Sequence, residues 1–123
     1  MTVELNHTIV PSRDQRAAAK DLADLLGLEV TKAGHFDAVH LGNGVSLDFM
    51  DVEEVPGPMH LAFLISDDTF DEVFARVQEQ ALPYWADPMH RHAQQFSAYD
   101  GGRGFYWDST PDGHNLEVLT RAS

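Results

Sequence analysis

Val3, Leu5, His7 and Ile9 alternate with Glu4, Asn6 and Thr8. This period of two predicts a half-buried strand over Val3–Val10, closed by Pro11, with His7 on its apolar face. The period then lengthens. Ser12-Arg13-Asp14-Gln15 has the form of a capping box, Ala17, Ala18, Leu22, Leu25 and Leu26 recur at helical spacing, and Gly27 suits the left-handed residue that ends a helix. Leu28–Thr31, Phe36–Leu41 and Val45–Met50 read as strands, the last two joined through Gly42-Asn43-Gly44, where Asn-Gly is a strong hairpin signal. Asp51–Pro58 then has the acidic, proline-bearing composition of a linker.

The same order returns after it. Met59–Ile65 is an almost continuous apolar run interrupted by His60, which predicts a buried strand. Ser66-Asp67-Asp68 offers helix caps, Phe70, Val73, Phe74 and Val77 repeat at helical spacing, and Pro83 stops the helix. Tyr84–Ala86, Phe96–Tyr99 turning into Gly104–Trp107, and His114–Thr120, entered by Pro111-Asp112-Gly113, complete a second strand-helix-three-strand unit. Gly44-Val45-Ser46-Leu47-Asp48-Phe49 aligns with Gly113-His114-Asn115-Leu116-Glu117-Val118, so Asp48 and Glu117 fall at equivalent places, as do His7 and His60. The expected fold is α+β: two βαβββ modules forming a curved mixed sheet in a single domain over 1–123, with module one about 1–52, a linker about 51–58 and module two about 59–123.

The composition narrows the functions. With 123 residues, 43% of them hydrophobic, the chain has room for one domain with a packed core. Twenty acidic against eight basic residues give a formal charge of −12, which repels nucleic acid and anionic membrane surfaces and leaves a small-molecule substrate or a divalent metal as the expected partner. The absence of cysteine removes disulfides, thiolate metal sites and cysteine nucleophiles. No apolar run approaches a bilayer span and the start has no leader pattern, so the expected location is the cytoplasm.

Each module places a histidine on its first strand and a carboxylate on its last. Two neutral imidazoles and one carboxylate, with positions left open for water or substrate, suit a divalent first-row metal acting as a Lewis acid. His7, His60 and Glu117 are the candidate ligands, and Asp48 is a possible fourth that would shift the site toward Zn, Ni or Co. A lone histidine on an apolar strand is more often a hydrogen-bonded core residue than a ligand. What favours the metal is the recurrence of both residue types at equivalent points of a repeat. His114 has the opposite strand parity to Glu117 and should point away from the metal. His90-Arg91-His92 reads as a solvated rim of the pocket, and Trp85 and Tyr99 either line a pocket or, the commoner role of such residues, fill the core.

With Leu5-Asn6-His7-Thr8-Ile9, Met59-His60-Leu61-Ala62-Phe63 and Pro111-Asp112-Gly113-His114-Asn115-Leu116-Glu117-Val118-Leu119, the chain resembles the vicinal oxygen chelate superfamily over nearly its whole length. That superfamily includes glyoxalase I, extradiol dioxygenases, fosfomycin-resistance enzymes, methylmalonyl-CoA epimerase and bleomycin-resistance proteins. The resemblance implies that His7, His60 and Glu117 hold a divalent metal such as Zn, Ni, Mn or Fe. It also implies that Asp48 is a ligand or proton shuttle, that Tyr106 faces substrate, and that the chain forms a homodimer. Three activities follow. The first is a metal-dependent lyase or isomerase of glyoxalase type on a small oxygenated metabolite, with Glu117 and Asp48 as candidate bases. The second is an extradiol-type dioxygenase using the same ligands. The third is an antibiotic-sequestering protein like the bleomycin binders, favoured by charge and aromatics and disfavoured by the complete ligand set.

Overall fold

Asp14, rather than Ser12, caps the first helix in the computed structural model, which describes residues 2–99 and 101–121. The Asp14 carboxylate accepts the Ala17 N–H at 3.1 Å, helix α1 runs Gln15–Leu26, and Gly27 closes it at φ 75°. Ser12 is instead the last residue of strand β1 (His7–Ser12) and is fully buried. The strand therefore begins four residues later than the alternation predicts and runs through Pro11. It can do so because β1 is an edge strand, where a missing N–H breaks no ladder. Val3 and Leu5 lie outside the strand and are exposed, and His7 is exposed rather than set among apolar neighbours.

The chain divides into two units, Met1–Pro56 and Gly57–Ser123. The first continues with β2 (Val30–Ala33), β3 (Phe36–His40) and β4 (Ser46–Asp51), in the sheet order β1-β4-β3-β2 with β1 parallel to β4. Leu22 and Leu26 of α1 are buried, as are Val39, Leu47 and Phe49 on β3 and β4, the strands α1 contacts. Amid this aliphatic core lies the buried carboxylate of Asp37, 2.8 Å from Gln15 Nε2 and 3.1 Å from Lys32 Nζ. Gln15 also donates its backbone N–H to Asp51 Oδ1 at 2.7 Å and accepts the Asp51 N–H at 2.9 Å. Polar bonds thus pin the start of α1 to the sheet.

The second unit repeats the order: β5 (His60–Leu64), α2 (Asp67–Glu79), β6 (Ser97–Tyr99), β7 (Gly102–Asp108) and β8 (Asn115–Leu119). Its sheet order is β5-β8-β7-β6, with β5 parallel to β8. Ser66 caps α2 by accepting the Thr69 N–H at 3.1 Å, and Asp67 and Asp68 complement the helix dipole in the first turn. The core here is aromatic: Phe70, Phe74, Tyr84, Phe96 and Phe105 meet edge to face at centroid distances of 5.3 to 5.8 Å. Arg103 lies 4.2 Å over the Phe70 ring and reaches Asp71 at 2.9 Å, tying β7 to α2.

Two expectations change. Strand β5 is an edge rather than a buried strand, with Phe63 its one buried residue and Leu64 63% exposed. Tyr84–Ala86 is an isolated bridge at Trp85 rather than a strand, and the side chain of Tyr99 lies outside the described residues.

Candidate functional site

Strand register decides which side chains share a face. In the second unit His60 pairs with Asn115, Ala62 with Glu117, Tyr106 with Glu117 and Trp85 with Tyr106. Paired residues point the same way, so His60, Glu117, Tyr106 and Trp85 all project from the sheet face opposite the core residues Phe63, Phe105, Trp107 and Val118. The first unit has the same register: His7 pairs with Ser46 and Ile9 with Asp48. Ser46 aligns with Asn115 and Asp48 with Glu117, so each histidine stands in the same relation to its carboxylate, as the repeat requires.

The second unit brings its pair into contact. His60 Nε2 lies 3.1 Å from Glu117 Oε1. The His60 side chain is 47% exposed and that of Glu117 17%, so the pair is reachable from solvent. Tyr106 meets the His60 ring edge-on at 5.9 Å. Its phenol is pushed up to about 12, by burial first and then by the Glu117 bond and the charges of Glu117 and Asp87. Tyr106 therefore stays protonated, and its register with Glu117 places it on the same face.

In the first unit His7 Nδ1 lies 2.7 Å from Asn6 Oδ1. Donation from Nδ1 leaves the lone pair on Nε2, the tautomer a metal ligand needs. Asp48 accepts the Ser46 hydroxyl at 2.6 Å. Among the described residues no three His, Asp or Glu side chains gather in one cluster able to hold a metal. The donors do suit one. Cis ligands at the usual metal–nitrogen and metal–oxygen distances lie about 3 Å apart, the separation His60 and Glu117 already have.

His114 is buried, its Nδ1 accepting the Met59 N–H at 2.9 Å, away from this face as parity predicts. His90 departs from the expected solvated rim: its imidazole lies flat on the Trp85 indole, centroids 3.6 Å apart and planes 4° from parallel, with Nε2 3.4 Å from Asp108. Trp85 in turn belongs to the open face rather than the core. The signal for both lies in the Trp85–Tyr106 pairing, which sequence periodicity does not carry.

Residues 4–118 match the Glyoxalase/Bleomycin resistance protein/Dioxygenase superfamily. Among solved structures, Oxidase ChaP-H2 is 53% identical with a TM-score of 0.95, covering 99% of this chain and 96% of its own. Oxidase ChaP-H1 is 51% identical with a TM-score of 0.94, covering 98% of each chain. The fosfomycin resistance protein FosX from Mesorhizobium loti, 22% identical with a TM-score of 0.72 over 99% of this chain and 95% of its own, shares the fold. No curated protein sequence matches. No helix of the described residues is long and apolar enough to cross a membrane.

Proposed function

Because the chain belongs to the Glyoxalase/Bleomycin resistance protein/Dioxygenase superfamily, we propose that it is a metal-dependent oxidase acting on a small molecule with two adjacent oxygen atoms. The pairing of His60 with Glu117 on an open sheet face carries this reading of the site. Identities above half to two chains named oxidases turn it from the glyoxalase-type lyase toward oxygen chemistry. The 20% identity to a lactoylglutathione lyase from Agrobacterium tumefaciens speaks for the fold alone.

His7, His60 and Glu117 would hold a divalent metal such as Fe, Mn, Ni or Zn, with the two modules acting as one domain in a homodimer. The metal would supply Lewis-acid activation of the chelated oxygens and, for a redox-active ion, a route to dioxygen. The chain supplies the rest. Tyr106, kept protonated and in register with Glu117, presents its aromatic ring beside His60 to substrate. Asp48, steadied by Ser46, is the carboxylate left to accept a substrate proton or to serve as a fourth ligand.

The test is oxygen uptake by protein loaded with Fe(II) or Mn(II) and offered a catechol. Uptake that requires Glu117, and is lost in Glu117→Gln, is expected. A loaded protein that consumes no oxygen with any vicinal diol, yet isomerises a hemithioacetal, would return the assignment to the glyoxalase type.

A further inference from the structure

The flat stack of His90 on Trp85 is the least expected contact in the molecule. Trp85 N–H donates to Tyr106 O at 2.9 Å and Tyr106 N–H to Trp85 O at 2.8 Å, so the two residues form a hydrogen-bonded antiparallel pair with side chains on the same face. Two strand spacings, roughly 10 Å, separate Trp85 from Glu117 along this row, about the reach of a fused two-ring molecule. A planar ring, the His90 imidazole, already occupies the indole at van der Waals distance.

Apart from the stack, a 3.4 Å approach to Asp108 is the only polar contact the structure gives that imidazole among the described residues. His90 sits at φ 58°, the left-handed region that a side chain adopts at a cost, and Gln94, at the far end of the same loop, sits at φ 59°. The remainder of the loop is anchored independently, with the Asp87 carboxylate accepting the Arg91 N–H at 2.9 Å and the His92 N–H at 2.8 Å. The imidazole can therefore leave without unfolding the loop that carries it.

We propose that Trp85 is a stacking platform for a planar aromatic ring of the substrate, and that His90 covers this platform until the ring displaces it. The orientation of that ring's adjacent oxygens toward Glu117 rests on the proposed function; the stack itself rests on the geometry of the second unit alone. A ring of larger area than imidazole gains more contact with indole and wins the exchange. Trp85 thereby selects flat aromatic substrates over small aliphatic ones.

Titration calorimetry of the metal-free chain with 2,3-dihydroxynaphthalene tests this. Binding should weaken roughly tenfold in Trp85→Leu, survive largely intact in Trp85→Phe, and tighten severalfold in His90→Ala, from which the competitor is gone. Acetohydroxamate, a ringless oxygen chelator, should bind metal-loaded wild type and Trp85→Leu equally. If it fails on wild type while the naphthalene effects hold, the metal reading fails and the platform stands. No naphthalene binding by wild type, equal binding by Trp85→Leu, or weaker binding by His90→Ala would each overturn the platform.

Discussion

The two modules share a register and differ in what fills it. Asp37, Ala38, Val39 and His40 on β3 oppose Phe49, Asp48, Leu47 and Ser46, while Phe105, Tyr106, Trp107 and Asp108 on β7 oppose Val118, Glu117, Leu116 and Asn115. Position by position, the first module has a buried carboxylate where the second has Phe105, and a methyl group where the second has Tyr106. On the core side the change replaces an aromatic cluster with a polar clamp of Asp37, Gln15 and Lys32. On the open side it leaves Asp48 with a serine hydroxyl for company and gives Glu117 a histidine within 3.1 Å and Tyr106 in register beside it. The repeat thus keeps the backbone placement of a histidine and a carboxylate in both modules, and only in the second do the two side chains meet.

The largest effect that would sharpen this contrast is on the core side. Phe105→Ala removes a fully buried ring in contact with four other aromatic side chains and should cost about 3–5 kcal/mol in chemical denaturation. A loss under about 1 kcal/mol would mean the aromatic cluster is not what holds the second module. Asp37→Ala, at the equivalent place, leaves one of the two Gln15 amide N–H groups without its acceptor, the other being held by the His35 carbonyl, and should cost about 1–3 kcal/mol.

The pH dependence of that clamp has a definite sign. The hydrogen bond from Gln15 leads the causes that hold the Asp37 carboxyl below its usual value of 3.8, against the opposing effect of burial. A group depressed in the folded state adds stability that is complete above its unfolded value and is lost as pH falls through the folded one. Wild type should therefore lose stability more steeply than Asp37→Asn below pH 3.8, and parallel melting curves for the two in acid would contradict the clamp.

A smaller effect separates the open faces. Tyr106, raised to about 12, contributes stability that is intact below the usual phenol value of 10.0 and declines as pH rises from there toward 12. Glu117→Gln should lower the Tyr106 titration seen by phenolate absorbance but leave it above 10.0, because burial is the leading cause. An unchanged titration would show that Glu117 does not hold the hydroxyl.

The duplication and the histidine–carboxylate positions were legible in the sequence because both rest on period and alignment: Gly-x-x-Leu-acid recurs, and strand parity then places His60 with Glu117 and turns His114 away. Element ends were less legible. Asp14 and Ser12 can each cap a helix, and burial of Ser12 at the end of β1 decided between them. Pro11 reads as a strand terminator unless one knows that β1 lies at a sheet edge, and the apolar β5 reads as buried for want of the same knowledge. The places of Trp85 and His90 are not legible in the sequence, because they depend on a bridge to Tyr106 and on a left-handed backbone at His90, neither of which leaves a periodic trace.

The central proposal is that His60 and Glu117, with His7, would hold a metal, and that Asp48, the repeat's counterpart of Glu117, would be at most an accessory. Metal content of purified protein, by elemental analysis of wild type and three variants, tests it most directly. One divalent ion per chain is expected in wild type, with most of it lost in His60→Ala and in Glu117→Gln and retained in Asp48→Asn. Retention of a full complement by His60→Ala, or loss confined to Asp48→Asn, would contradict the account.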